Sequence, residues 1–437
     1  MLNLRVLESL IDAVTPEKLI GTIISVKGNR LESIGPMVEV GSPVSIKFPG
    51  ATVLAQVVGF ENGKFVLMPF EDNLRVSVGT RVEATSKSDR VGISEDCLGR
   101  VFNCFNNTVD GRGPVVPRVF VDLMKASPNP LSRKPISTIF ETKVKAIDLM
   151  LTAGRGQRLG VFSGAGVGKS TLLGMIARNS SADINVITLI GERGREVKDF
   201  LERDLKEGLT KSVVIISTAE ESALKKIRAA LLALAYAEYF RDQGKNVLFL
   251  CDSLTRLAQA LRELGGLLGE LPVARGYPPS CFQFLAKYLE RFGNSDSCGS
   301  LTSFFTVLVD GDDLDEPVSD AVRAILDGHI VLSRELASQG IYPAVDFLNS
   351  ISRVSLDIQT KPMQNFALCV RNIFATYEQN KDLVLVGAYK PGSDFMLDLS
   401  LNLHGPLTNF FQQKPDEAYS IQDALQEGIK ILASAKK

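Results

Sequence analysis

The chain carries almost no net charge. Forty-nine lysines and arginines stand against fifty aspartates and glutamates over 437 residues, a formal balance of −1. No global positive field therefore draws it to nucleic acid or anionic lipid, although a local basic patch is left open. Paired cysteines are also missing: Cys97, Cys104, Cys251, Cys281, Cys298 and Cys369 are scattered, with no CxxC pair and no His/Cys cluster at metal spacing. That excludes a disulfide or zinc framework and reads as reduced, mostly core thiols of a cytosolic protein. The opening "MLNLRVLESLIDAV" has no basic region leading into an apolar run and a small-residue cleavage site, so it is expected to be a short amphipathic helix rather than a secretory leader. Long apolar runs are absent too. The most membrane-like stretch, "IRAALLALAYAEYF" at 227–240, is fourteen residues and carries Glu238. A spanning helix needs about twenty apolar residues, so a buried core helix is expected and any membrane contact is peripheral. No internal repeat or low-complexity segment is present.

What is there suffices for sizeable cores. Hydrophobic residues make up 45% of the chain, and the length suggests roughly three domains. From about 16 to 88, "LIGTIISVKGN", "PMVEVGSPVSIKF", "ATVLAQVVGF", "KFVLMPF" and "VSVGTRVEAT" are short β-branched runs separated by Gly, Pro and Asn, the pattern of a small barrel or sandwich. Apolar strands at 158–163, 184–190, 212–218, 246–251 and 303–310 then alternate with longer helical stretches, which predicts an α/β domain with a mainly parallel sheet covered on both faces. From about 361 the pattern is helical and amphipathic. The expected divisions are 1–88, 89–360 and 361–437.

The chemistry begins at "SGAGVGKST". The pattern GxxxxGK[ST] is met at Gly168, Lys169 and Ser170, with Ser163 in place of the first glycine and Gly164 directly after it. Glycines let the backbone N–H groups of Gly164, Ala165, Gly166, Val167 and Gly168 approach phosphate. Lys169 places a positive charge at the β/γ oxygens, and Ser170, followed by Thr171, offers a hydroxyl to Mg²⁺. A strand before and a helix after the loop supply the confirming context.

"NVLFLCDSLTR" ends an apolar strand in Asp252, which either holds water on Mg²⁺ or caps the following helix. The next residue is Ser253, so the paired acid of many ATPases is missing and a base must come from elsewhere. "LIGERGREVKDF" places Glu192 and Arg193 just past another strand. Strand C-terminal ends converge on ligands in such sheets, so Glu192 is the candidate to activate water; the alternative is that Glu192, Arg193, Arg195 and Glu196 form surface ion pairs. "YPAVDFLNSISRVS" puts Arg353 in a polar segment after the last candidate strand, where it reads equally as a surface arginine.

Taken in order, the phosphate loop, "GERGRE", "DSLTR" and "SISRV" resemble the hexameric ATPases related to rotary ATP synthase subunits. Longer blocks, among them "GYPPSCFQFLAKYLERFG" and "TVLVDGDDLDEPVSDAVRAILDGHIVLSR", are similar to the type III secretion export ATPases, with wording nearer the flagellar than the injectisome branch. The resemblance spans nearly all of the chain beyond the first dozen residues.

It implies an N-terminal β-barrel, a RecA-like P-loop core and a C-terminal helical domain. It also implies ATP with Mg²⁺, Lys169 and Ser170 on phosphate and metal, Asp252 in the metal shell and Glu192 as catalytic carboxylate beside Arg193. Arg353 would be an arginine finger acting on a neighbour's nucleotide, and Tyr342 the aromatic near adenine, where a core tyrosine is the plain alternative. Because Glu192 and Arg353 share one chain, a homo-hexamer with intersubunit sites is expected. The implied partners are an export gate, stalk, stator or regulator proteins, export substrates and chaperones, at the cytosolic face of the inner membrane. "CLGRVFNCFNNTVDGRG" at 97–113 follows the family outline with Phe and Asn substitutions, and "LGGLLGELPVARGYPPS" at 264–280 is either pore-facing or an ordinary mobile loop.

Three rivals remain at this stage. A Rho-like RNA translocase would need basic and aromatic residues interleaved on the barrel, which "KFVLMPFEDNLR" does not supply, and no nucleic acid is expected. A rotary subunit would need a partner of different sequence. A non-hydrolysing ring subunit sits poorly with Glu192 and Lys169 both present.

Overall fold

The computed structural model describes residues 19–434 apart from 49, 73, 86–89, 297 and 310–312; the amphipathic helix expected at the N-terminus lies outside them. Strands β1 (Ile20–Lys27), β2 (Arg30–Ile34), β3 (Pro43–Phe48), β4 (Ala51–Glu61), β5 (Lys64–Pro69) and β6 (Arg81–Ala84) close an antiparallel barrel in the order β1-β2-β5-β4-β3-β6. Period-two alternation turns Ile23, Leu31, Val44, Ile46, Val57 and Leu67 into its core. The β4–β5 hairpin turns on Asn62 and Gly63, both at positive φ, as a two-residue turn compatible with strand twist requires.

The next pair, β7 (Arg90–Ile93) with β9 (Val119–Asp122), lies beside the central sheet, to whose edge β8 (Arg100–Phe102) belongs. That sheet runs β16-β15-β10-β14-β13-β11-β12-β8, with β10 at Arg158–Ser163, β11 at Ile184–Glu192, β12 at Ser212–Thr218, β13 at Asn246–Asp252 and β14 at Ser300–Leu308. β15 (Gly328–Leu332) is parallel to β10, and β16 (Val345–Ser352) pairs antiparallel to β15 at the edge. Two large cores cover its faces. In one of them the helix Ala223–Asp242 buries Leu232, Ala233, Leu234, Ala235 and Ala237 completely, so the membrane-like run is core. Among the described residues no helix is long and apolar enough to cross a membrane.

Three strands of the central sheet, and the β7–β9 pair beside it, escape the sequence pattern. β8 has three residues and β15 five, too few for periodicity to register. β16 is an edge strand whose sequence VDFLNSIS alternates buried and accessible positions, and its polar face disguises it. Arg353 therefore directly follows a strand, correcting the expectation that its segment lay beyond the last one. β14 likewise starts three residues before, and ends two before, the expected 303–310.

The segment 97–113 packs well despite its Phe and Asn residues. Phe105 meets Phe70 of the barrel end edge-on at 5.1 Å, and Asn106, at positive φ, accepts from the Tyr236 hydroxyl at 2.7 Å. Four cysteines are buried, Cys369 is partly buried and Cys298 exposed, all as free thiols.

Beyond the sheet the helices Lys361–Leu385, Phe395–Phe411 and Ile421–Ser434 form the C-terminal layer. Gln413 fastens it to the core by accepting from Lys145 N at 3.0 Å and donating to the Lys143 carbonyl at 2.8 Å. At the other end, Ser222 Oγ donates to the Phe70 carbonyl at 2.8 Å and Lys225 pairs with Glu71 at 2.7 Å, tying the barrel to the core.

Candidate active site

Strand β10 delivers the chain to the phosphate loop. Ser163 is its last residue and extended, so the departure from glycine brings no backbone conflict. Gly166 and Gly168 lie at φ of 80° and 86°, a region hostile to side chains, and the helix Lys169–Asn179 begins at once. Its N-terminus leaves N–H groups aimed at the loop, a ready anion site. Val167 turns its side chain into the core, leaving only its backbone to the loop, while Ser170 is exposed.

Three charged side chains meet beside this loop. Asp252 ends β13 and is 4% exposed; its Oδ1 lies 2.5 Å from Lys169 Nζ and accepts from Thr306 Oγ at 2.7 Å. Glu192 ends β11, with Oε1 3.8 Å from Lys169 Nζ. Parallel register explains the meeting, because β10, β11 and β13 all end at the same edge of the sheet. Asp252 is not the cap of the next helix: Ser253 does that, accepting from Arg256 N at 3.3 Å.

Glu192 reaches its place through an irregularity. The β11 register shifts between Ile190 and Glu192, where Gly191 adopts φ 70°. A Cβ on Gly191 would fall 2.9 Å from Arg256 Cβ, so only glycine fits. Burial, then the negative charge of Asp252, pushes the Glu192 carboxyl up to about 7 against the opposing pull of Lys169. For Lys169, burial favours the neutral amine, but Asp252 and Glu192 outweigh it and hold the ammonium above its ordinary range.

Lys169, Gly191, Glu192 and Arg256 line a cavity of about 1000 Å³ that also takes in Gly164, Ala165, Ser170, Thr171, Arg193 and Glu196, and Asp252 adjoins it through its contact with Lys169. Arg193 is at its rim, 81% exposed and 3.8 Å from Glu196. Of the surface ion pairs weighed for this motif, that one exists, while Glu192 faces inward. Tyr342 is 43% exposed and so is no core tyrosine; its ring edge would lie 3.3 Å from a Cβ on Gly168, over the loop.

Arg353 is the residue that does not join them. β16 runs back along β15, bringing Ser352 opposite Gly328, and Arg353 N donates to the Asp327 carbonyl at 3.0 Å while Asp327 N donates to the Arg158 carbonyl at 2.9 Å. Arg353 thus sits level with the start of β10, five residues and roughly 16 Å from the phosphate loop at about 3.3 Å per residue. Its own cavity is out of reach.

Two residues of the site escaped the sequence reading. Arg256 follows Asp252 by one helical turn and packs over Gly191, and Thr306 is hidden in the apolar run of β14. A lone Thr among Phe, Val and Leu was the only available signal for the second. Among the described residues no group of three His, Cys, Asp or Glu side chains is poised on a metal. Ser170 and Asp252 nevertheless supply the sparse, hard oxygen set that suits Mg²⁺ bound mainly through water and phosphate.

Comparison with known proteins agrees with this architecture. Residues 18–86 match the model of the ATP synthase alpha/beta family β-barrel domain, 143–352 that family's nucleotide-binding domain, and 360–427 the T3SS EscN ATPase C-terminal domain. The flagellum-specific ATP synthase of Treponema pallidum is 48% identical over 94% of this chain and 92% of its own length. The chain belongs to the flagellar and type III secretion ATPase family. Within the family, the flagellum-specific ATP synthase of Bacillus subtilis shares 44% identity over 96% of this chain and 97% of its own. The type 3 secretion system ATPase of Xanthomonas euvesicatoria shares 40%, over 93% and 92%. The two flagellar relatives thus share more identity than that secretion relative, as the wording of the motifs led us to expect. The assembled ATPase EscN of enteropathogenic E. coli superposes with a TM-score of 0.90 at 38% identity, covering 94% of this chain and all of EscN's solved chain.

Proposed function

We propose that this chain hydrolyses ATP at the interfaces of a homo-hexameric ring and so energises protein export through a flagellar or type III secretion apparatus. One observation carries the intersubunit part: Lys169, Glu192 and Asp252 meet beside the phosphate loop while Arg353 sits at the far end of the same sheet. A finger that cannot serve its own site is free to serve a neighbour's. The working divisions are a barrel over 1–88, an ATPase core over 89–360 and a helical domain over 361–437.

The backbone N–H groups of residues 164–168 and the Lys169 ammonium hold the triphosphate, with Thr171 beside them and Tyr342 against the base. Ser170 and Asp252 would hold Mg²⁺, which would supply positive charge against the phosphates. Glu192 accepts a proton as a water oxygen bonds to the γ-phosphorus and the bond to the β–γ bridging oxygen breaks, ADP leaving with that electron pair. The raised position of Glu192 suits a base working near neutrality. Arg193 at the rim, and a neighbour's Arg353, stabilise charge spread over the transferring oxygens.

Work is delivered to partners at the cytosolic face of the inner membrane: an export gate, a stalk, a stator or regulator, and export substrates with their chaperones. EscN has been seen in complex with its central stalk EscO, and that structure superposes on this chain with a TM-score of 0.87. The segment 264–280 suits a stalk or substrate contact, since Leu271 and Val273 are 82% and 64% exposed on a loop held by Arg275 to Asp313 and Glu316. ATPase activity measured against protein concentration, with and without anionic vesicles, tests the reading. A steeply cooperative rise is expected, and activity strictly proportional to concentration at all dilutions contradicts it.

A further inference from the structure

Asp252 makes a buried polar contact that the proposed mechanism does not use. Thr306 is fully buried in β14, surrounded by Phe304, Phe305 and Val307, which are also fully buried. A hydroxyl there needs a partner, because an unpaired one is costly in an apolar wall. It finds two acceptors across the β13–β14 seam: Asp252 Oδ1 at 2.7 Å and the Cys251 carbonyl at 3.3 Å. One proton serves both, and the shorter contact is to the carboxylate.

Asp252 Oδ1 is thereby held from two sides, by Lys169 at 2.5 Å and by Thr306 at 2.7 Å. The two holders differ in kind. Lys169 sits on the phosphate loop at the start of a helix and has phosphate to attend to once nucleotide arrives. Thr306 sits in the middle of the sheet, where its other acceptor is the backbone carbonyl of the neighbouring Cys251. The same strand is fastened a second time to the β13 exit, where Leu308 N donates to Thr255 Oγ at 2.8 Å.

We propose that Thr306 is a positioning residue for Asp252. Its hydroxyl holds Oδ1 when Lys169 turns to phosphate, which leaves Oδ2 as the oxygen available to a hydrated Mg²⁺. The inference rests on the ATPase reading of this site and deepens it: the metal-side carboxylate is oriented by a strand hydroxyl rather than by the lysine alone.

The test compares Thr306→Val, which keeps the shape and loses the donor, with Thr306→Ser, which keeps the donor. Binding of a fluorescent ADP analogue is titrated with Mg²⁺ and with EDTA, and ATPase rate is followed against free Mg²⁺. In Thr306→Val, affinity in EDTA stays at the wild-type value, reporting an intact phosphate loop. The gain in affinity on adding Mg²⁺ falls, and the Mg²⁺ concentration for half-maximal rate rises, each about tenfold, the scale of one hydrogen bond to a charged group. Thr306→Ser recovers most of both. Should the valine chain fail to bind in EDTA, Thr306→Ala replaces it, removing the donor without adding bulk, with the same expected shifts.

Wild-type Mg²⁺ dependence in the hydroxyl-free variants, or equal impairment of the serine and valine chains, would overturn the proposal and leave the ATPase reading standing. A wild-type chain whose nucleotide affinity ignores Mg²⁺ would overturn both.

Discussion

Lys169 and Asp252 form a closed ion pair, Nζ to Oδ1 at 2.5 Å, with both side chains largely buried. The lysine's charge is balanced by that carboxylate, and Glu192 stands 3.8 Å away as a second carboxylate on the same ammonium. On the proposed reading, triphosphate competes with Asp252 for this ammonium. Removing the lysine leaves buried Asp252 and partly buried Glu192 without the cation they share. In Lys169→Ala, ATP affinity and turnover are lost together, and the Glu192 carboxyl moves further up because the favourable charge of Lys169 is gone. Isothermal titration with ATP and a phosphate-release assay check the first part, and carboxyl titration of the variant by infrared difference spectroscopy checks the second.

Glu192 sets a pH dependence with a definite sign. Its carboxyl is held up to about 7 in the folded, nucleotide-free chain against an ordinary value of 4.5. As a base it works when deprotonated, so kcat/KM for ATP rises with pH through about 7. Stability runs the other way: the folded state holds this proton more tightly, so the group's favourable contribution is complete below about 4.5 and is lost as pH rises toward 7. Glu192→Gln keeps nucleotide binding, loses most turnover and abolishes the acidic limb of the activity profile. It also flattens stability between those two pH values, which urea midpoints across that range read directly.

Gly191 is a test of backbone placement apart from chemistry. At φ 70°, with Arg256 Cβ 2.9 Å from where its own Cβ would be, Gly191→Ala is strained twice over. The left-handed conformation alone costs an alanine about 1–2 kcal/mol. Relief moves Glu192, so the alanine chain shows a fall in kcat larger than any change in nucleotide affinity, measured by steady-state kinetics beside equilibrium binding.

The largest stability effect is expected far from the nucleotide. Arg291 and Glu238 form a bidentate pair at 2.9 and 2.8 Å with side chains 5% and 3% exposed, and Arg291 also donates to the Leu123 carbonyl at 2.8 Å. Arg291→Met leaves Glu238 without its guanidinium and lowers stability by about 3–5 kcal/mol, whereas changing both residues to apolar ones of similar volume recovers much of the loss. Denaturant unfolding of the single and double variants decides it.

How much of this was legible depended on the kind of signal. β10, β11, β12 and β13 are largely buried parallel strands, written as mainly apolar runs, and the residues that end them are Ser163, Glu192, Thr218 and Asp252. The place where loop and carboxylates meet therefore follows from strand ends alone. β16 was hidden because an edge strand with one polar face looks like a loop, and with it went the position of Arg353. Thr306 was hidden for the opposite reason, since a threonine in an apolar strand is what β propensity favours anyway. Its partner, Asp252, lies 54 positions away, and only the pairing of β13 with β14 brings the two together. The register shift at Gly191 depends on Arg256, a contact that no local pattern announces.

The central claim is that each site needs two copies of the chain, one bringing Lys169 and Glu192 and the other Arg353. Complementation measures this most directly. Arg353→Ala and Lys169→Ala chains are each prepared, mixed over a range of ratios under assembling conditions, and assayed for phosphate release. Each alone is nearly inactive, since an arginine finger contributes on the order of 10³ to 10⁵ in rate. The account predicts activity that peaks at intermediate ratios, where a neighbour with intact Arg353 faces an intact Lys169 and Glu192. Mixtures that assemble yet stay as inactive as either parent would contradict it.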